Sequence, residues 1–203
     1  MPPQAEVGTV VALGQDARLL GLIVLSDTPR PEAKATVAAL RRLGIRCAML
    51  TGDHRRVAER IAQDLGIEEV HAELLPEDKV RVVEALAREY RAVAMVGDGI
   101  NDAPALARAD VGIALGAIGS DAAIEAADIA LMSDDLRHLP WLVRHARRTL
   151  WIVRENITFA LGVKAVFVVL ALLGQATLWM AVAADMGASL LVVANGLRLL
   201  RIK

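Results

Sequence analysis

Apolar residues in the first 135 positions fall into short runs separated by charged stretches of helical spacing. Val7–Leu13 and Leu19–Leu25 predict two strands around the turn Gly14-Gln15-Asp16. A helix is expected from Pro31 to Leu43, with proline in its first turn and Gly44 ending it. The short, mainly apolar runs Arg46–Leu50, Val70–Ala72, Val93–Val96, Val111–Ala114 and Ile129–Leu131 read as buried parallel strands. Helical stretches His54–Leu65, Pro76–Glu89, Asp102–Ala109 and Asp121–Ala126 separate them. This alternation predicts an α/β fold with a doubly wound, mostly parallel sheet, whose site lies at the carboxyl ends of the strands.

Beyond residue 156 the pattern changes. From Ile157 to Leu197 only Lys164 and Asp185 are ionisable. Gly174-Gln175-Ala176-Thr177 splits the stretch into apolar runs Ile157–Leu173 and Leu178–Leu197, each ~25–30 Å long as a helix and so close to the hydrocarbon thickness of a bilayer. A buried pair in a soluble bundle would show a polar stripe, and neither run has one. The expectation is an all-α transmembrane hairpin. Arg137, Arg144, Arg147, Arg148 and Arg154 precede it, while Arg198, Arg201 and Lys203 follow it. That places both termini in the cytoplasm and the chain in the cell membrane as a multi-pass protein. Trp141, Trp151 and Trp179 fall near the expected interfaces, and the arginine-rich helix before the hairpin suits contact with anionic membrane lipid.

Composition supports a chain made of two unlike parts. Of 203 residues, 55% are hydrophobic and 23% charged: too apolar for an ordinary soluble domain, too charged for a pure membrane one. Lys+Arg 23 against Asp+Glu 24 lacks the basic excess of a nucleic-acid module, so no nucleic-acid partner is expected. The single cysteine, Cys47, excludes a disulfide framework within the chain and reads as core. Met1–Glu6 has neither a charged nor an apolar leader pattern, and no signal peptide is expected.

Three loops at predicted strand ends carry candidate chemistry. Thr51-Gly52-Asp53 offers a hydroxyl and turn N–H groups to a phosphate oxygen, although the same tripeptide also serves as a simple turn and helix cap. Gly97-Asp98-Gly99-Ile100-Asn101-Asp102 bends tightly and brings two carboxylates together, a hard oxygen set suited to magnesium beside a phosphate. Lys79, in the first turn of the helix opened by Leu75-Pro76, opposes the helix dipole unless it is aimed at an anion; a solvated lysine is the plain alternative.

Thr51, Lys79 and Gly-Asp-Gly-x-x-Asp, each after a strand, resemble the haloacid dehalogenase superfamily. The string Gly97–Leu106, then Ala109-Asp110-Val111-Gly112-Ile113-Ala114, together with Asp27-Thr28-Pro29-Arg30 and Leu75–Lys79, resembles P-type ATPases. The resemblance implies that Thr51 and Lys79, with Gly52 and Asp53, contact an aspartyl phosphate. Asp98 would carry Mg²⁺, and Asn101 and Asp102 would complete the site. It divides the chain into the tail of a nucleotide-binding domain (1–25), an incomplete phosphorylation domain (26–136), a basic linker helix (137–156) and two membrane helices (157–200). No Asp-Lys-Thr-Gly-Thr occurs here, and that string holds the family's phosphorylated aspartate. ATP would therefore serve a complete pump, with the missing N-terminal part or a complementary chain as partner.

Lys164 lies ten residues before Gly174 and Asp185 eleven after it, so a hairpin puts both near mid-bilayer, where unpaired charges are expensive. Asp185 can offer an oxygen ligand to a divalent cation and Lys164 a competing charge. Gly162-Val163-Lys164, Ala184–Ala188 and Ala194–Leu199 resemble the zinc/cadmium/lead branch of heavy-metal P-type ATPases; copper relatives would place Asn, Tyr, Met and Ser here. The implied transported ion is Zn²⁺ or a similar divalent metal. Two alternatives stand beside this reading: a membrane-anchored phosphatase using Asp27, which has Pro29 where a second aspartate is wanted, and a non-catalytic remnant or partner subunit.

Overall fold

The computed structural model describes residues 9–15, 18–25, 28–98, 101–116 and 121–201. Asp27 lies outside them, as do Gly99 and Ile100 of the Gly-Asp-Gly loop. The chain divides into two units, Met1–Pro140 and Trp141–Lys203.

In the first unit, β1 (Thr9–Gln15) and β2 (Arg18–Leu25) form an antiparallel ladder. Gly14 and Gln15, expected in the turn, belong to the strand, because a register shift between Leu13 and Gly14 lets the ladder run further. There follow α1 (Ala33–Arg42), β3 (Ala48–Leu50), α2 (Arg55–Leu65), β4 (Glu69–His71), α3 (Pro76–Glu89), β5 (Ala94–Gly97), α4 (Ala103–Leu106), β6 (Val111–Leu115), α5 (Asp121–Ala126) and β7 (Ile129–Leu131). The order matches the alternation in the sequence. The α/β fold with parallel strands is present, and hydrogen bonding joins those strands as two sheets, β3–β4 and β5–β6–β7.

Helix α3 shows how the sequence sets its own boundary. Pro76 occupies the first helical position, where no N–H is needed. The Asp78 carboxylate accepts the Leu75 N–H at 3.1 Å and pairs with Arg81. Those two contacts, Arg81 first, hold its carboxyl below the usual aspartate range. The apolar face of α3 then lies on β5 and α4: Val83, Met95, Ala105 and Leu106 form a buried cluster, with Leu50, Val80 and Ala109 packed against it. Cys47 is half-buried, and burial pushes its thiol up, as befits an inert packing residue.

The second unit is helical. Helix α6 (His138–Leu172) is 35 residues long and joins the expected basic linker and first membrane helix without a break. Pro140 stands in its first turn, where proline is tolerated, and nothing from Arg144 to Ile157 interrupts a helix. Gly174, with φ 71°, supplies the left-handed turn, and the Thr177 hydroxyl accepts the Met180 N–H at 3.3 Å to start α7 (Leu178–Gly196). A 3-10 turn, Leu197–Arg201, follows. Both helices are long and apolar enough to cross a membrane, and almost none of either span is buried within the chain. The amphipathic core pair of a soluble bundle would bury its apolar side.

The cluster under α3 predicts one sensitive position. Leu106 is 1% exposed, so Leu106→Ala should destabilise the first unit by ~2–5 kcal/mol, read as a lowered urea midpoint of the detergent-solubilised chain. An unchanged midpoint would contradict this packing.

Candidate functional site

Three polar loops leave the apolar cluster. Leu50 packs on it and is followed by Thr51; Val80 packs on it and is preceded by Lys79; Met95 lies within it, two residues short of Gly97. Ala105 and Leu106 complete it and anchor the helix that Asp102 opens. Chain connectivity thus fixes where each loop leaves the floor.

Lys79 and Asp102 meet directly. Lys79 Nζ donates to Asp102 Oδ1 at 2.7 Å, and both side chains are largely buried. The sequence left Lys79 opposing its helix dipole unless it faced an anion; the anion in the structure is a carboxylate. Gly97 permits the arrangement, because a Cβ there would stand 2.7 Å from Asp102 Oδ2. Asp98 follows at the exposed end of β5, and Asn101 is exposed one residue before Asp102.

Thr51-Gly52-Asp53 forms a closed turn. The Asp53 N–H donates to Thr51 Oγ1 at 3.1 Å, and the Thr51 hydroxyl donates to Asp53 Oδ2 at 3.0 Å. The loop after β4 closes over it: the Glu73 N–H reaches the Asp53 carbonyl at 2.9 Å and the Leu74 N–H the Thr51 carbonyl at 3.1 Å. Gly52 leaves room for that closure, since a Cβ would lie 3.3 Å from the Leu74 carbonyl oxygen.

Glu73 is the residue that sequence reasoning missed. It takes φ 59°, unusual for a residue with a side chain. Its carboxylate accepts the Arg55 N–H at the start of α2 at 3.4 Å and meets His54 Nδ1 at 3.0 Å. A carboxylate at a helix N-terminus is favoured there. The one available signal was an acid two positions past a strand end, and nothing in the sequence points it at a helix that starts eighteen residues upstream.

A magnesium ion fits the donor set in a limited way. No group of three or more His, Cys, Asp or Glu side chains is assembled among the described residues, which excludes an all-protein cage there. Asp102 pairs with Lys79, and Asp98 stands at the strand end. One or two carboxylates with water and phosphate oxygens is the usual magnesium arrangement.

In the second unit, Lys164 Nζ lies 3.8 Å from Asp185 Oδ1. The depth match read from the sequence is therefore realised as a pair. Their side chains are 68% and 63% exposed, so the pair sits on the outside of the hairpin.

Comparison with known proteins agrees with this architecture. The family description haloacid dehalogenase-like hydrolase matches residues 2–110. The chain belongs to that family. More narrowly, its haloacid dehalogenase-like domain followed by two long apolar helices is similar to part of heavy-metal-transporting ATPases. It is 50% identical over 205 residues to the cadmium, zinc and cobalt-transporting ATPase of Bacillus subtilis, matching 99% of this chain and 29% of the relative. A probable cadmium-transporting ATPase of Staphylococcus aureus is 48% identical over 201 residues, matching 98% of this chain and 25% of that protein. The crystal structure of a zinc-transporting PIB-type ATPase in its E2.Pi state superposes with a TM-score of 0.86 at 48% identity, over 97% of this chain and 32% of that one. The chain thus spans less than a third of the length of these relatives.

Two outcomes check the site. Gly97→Ala should push Asp102 off Lys79, raising the rate at which acetic anhydride modifies Lys79, as Asp102→Asn also should; equal labelling in all three proteins would contradict the pair. The Glu73 carboxyl, held below the ordinary glutamate value mainly by its bond to His54, should titrate low by NMR and rise in His54→Ala. Because its pKa is lowered, the support it gives the loop is present above the ordinary glutamate range and lost as pH falls through the lowered value.

Proposed function

We propose that this segment supplies part of the magnesium–phosphate site and one wall of the membrane metal site of an ATP-driven exporter of Zn²⁺, Cd²⁺ or a similar divalent metal. The observation that carries the reading is the Lys164–Asp185 pair, set on two helices otherwise free of charge from Ile157 to Leu197. A phosphatase anchored by a hairpin has no use for opposite charges at mid-bilayer, where each costs ~2.5–3.5 kcal/mol on insertion scales. A pump does. Asp185 offers an oxygen to the cation, and Lys164 takes the carboxylate back when the cation leaves. Their outward exposure leaves them open to other membrane helices, which would bring the remaining ligands.

In the first unit, Thr51 would turn its hydroxyl from Asp53 to a phosphoryl oxygen, and the Thr51–Asp53 turn N–H groups would add donors. Lys79, held by Asp102, would present charge to the same group, and Asn101 would lie at the rim. Magnesium, held by Asp98, would neutralise phosphate charge. Phosphoryl transfer asks chiefly for positioning and charge neutralisation, which this set can give. The phosphorylated aspartate and most of the nucleotide site would come from the rest of the pump. Both termini would face the cytoplasm, with the arginines flanking the hairpin on the inner side.

Two experiments test this. Incubated with labelled ATP and quenched in acid, the 203-residue chain alone should carry no stable label; appreciable label would contradict the assignment of the nucleophile to another segment. A chimaera in which this chain replaces the matching part of the Bacillus subtilis ATPase should accumulate Zn²⁺ or Cd²⁺ in inverted vesicles. Asp185→Asn should lower that transport at least ~10-fold while the chimaera still reaches the membrane. Full transport by Asp185→Asn would remove the carboxylate from the metal path.

A further inference from the structure

Besides Lys164 and Asp185, the helical unit holds a second polar group, in the middle of α6 and at the end of α7 away from their connecting turn. Asn195 Nδ2 donates to Glu155 Oε2 at 3.1 Å and to Asn156 Oδ1 at 2.8 Å. Its Oδ1 accepts from Arg198 Nη1 at 2.7 Å, and Arg198 lies 3.7 Å from Glu155. Asn156 Nδ2 stands 3.5 Å from the Val192 carbonyl oxygen. Asn195 thus uses both amide hydrogens and one oxygen lone pair, a pattern that no residue of similar size except asparagine can supply.

Register is what this network controls. Asn156 precedes Lys164 by eight residues and Asn195 follows Asp185 by ten, so along each helix the two polar layers are ~12–15 Å apart. Fixing one layer fixes the other. The residues between the layers include Ala160 on α6 and Gly187 and Ala188 on α7, which are small and present no knob to resist sliding. In lipid the apolar faces gain little from one another over lipid tails, so side-chain hydrogen bonds decide the alignment. A slip of one helical turn, ~5.4 Å, would part Lys164 from Asp185. Glu155 is already matched by Arg198, so the group acts as a fastening and not as a cation site.

We infer that Glu155, Asn156, Asn195 and Arg198 form a register lock between α6 and α7 that keeps Lys164 level with Asp185. These are positioning residues. Their consequence for metal transport rests on the function proposed above; the lock itself does not, and its test needs neither ATP nor metal.

The experiment uses the whole chain in lipid nanodiscs, with Cys47→Ser and the pair Ala160→Cys/Ala188→Cys, one turn from the charge pair. Mild oxidation should give an intramolecular disulfide. Adding Asn195→Asp, which keeps the size but removes both donors and sets a carboxylate against Glu155, should cut its formation about fivefold or more. Adding Asn156→Asp instead, which keeps the acceptor facing Asn195, should leave formation within about twofold of the parent. Glu155→Gln combined with Asn195→Asp reverses donor and acceptor and should restore the disulfide. The lock is overturned if the parent pair does not cross-link, if Asn195→Asp cross-links like the parent, if Asn156→Asp fails as badly, or if the Glu155→Gln combination restores nothing.

Discussion

A small apolar floor organises the polar chemistry of the first unit. Leu50 on β3, Val80 and Val83 on α3, Met95 on β5 and Ala105 and Leu106 on α4 share one cluster, and Thr51, Lys79 and Gly97 lie one or two residues from it along the chain. None of the polar groups would hold its place by its own contacts. Among the described residues, Thr51 bonds within its turn and to the backbone of β4 and the loop after it, and Lys79 pairs with Asp102. Burial, which is non-directional and strong, sets where each loop begins, while hydrogen bonds trim the local geometry. A loop carrying the same residues without that floor would be a turn and a cap.

The helical unit solves the reverse problem. There burial between helices gives little, and polar contacts carry the specificity. Its two polar layers differ in kind. Lys164 and Asp185 are charged, loosely paired at 3.8 Å and open to the outside. Asn195 and its neighbours are more closely hydrogen-bonded, with distances down to 2.7 Å.

Much of this was legible in the sequence, and the reasons differ by element. The strands were found because an unbroken apolar run between glycines and charged residues has few other uses. The pairing of Lys164 with Asp185 followed from counting residues on either side of Gly174, since helical rise converts number into depth. Continuity of α6 through its basic segment was harder to see, because the change from charged to apolar reads as a boundary although the backbone has no cause to stop. Glu73 was invisible for a different reason: its φ of 59° and its contact with α2 depend on how β4 is set beside β3. The division of the parallel strands into two sheets likewise depends on pairing, which no local pattern encodes.

The central claim is that the loops at Thr51, Lys79 and Asp98 form one anion-binding surface. Titration of the isotope-labelled chain with Mg²⁺ and inorganic phosphate, followed by backbone amide shifts, tests it most directly. The account predicts that Thr51, Gly52, Lys79 and Asp98 move together along a single millimolar isotherm that requires both ions. Shifts confined to one loop, or separate affinities at the three, would contradict it.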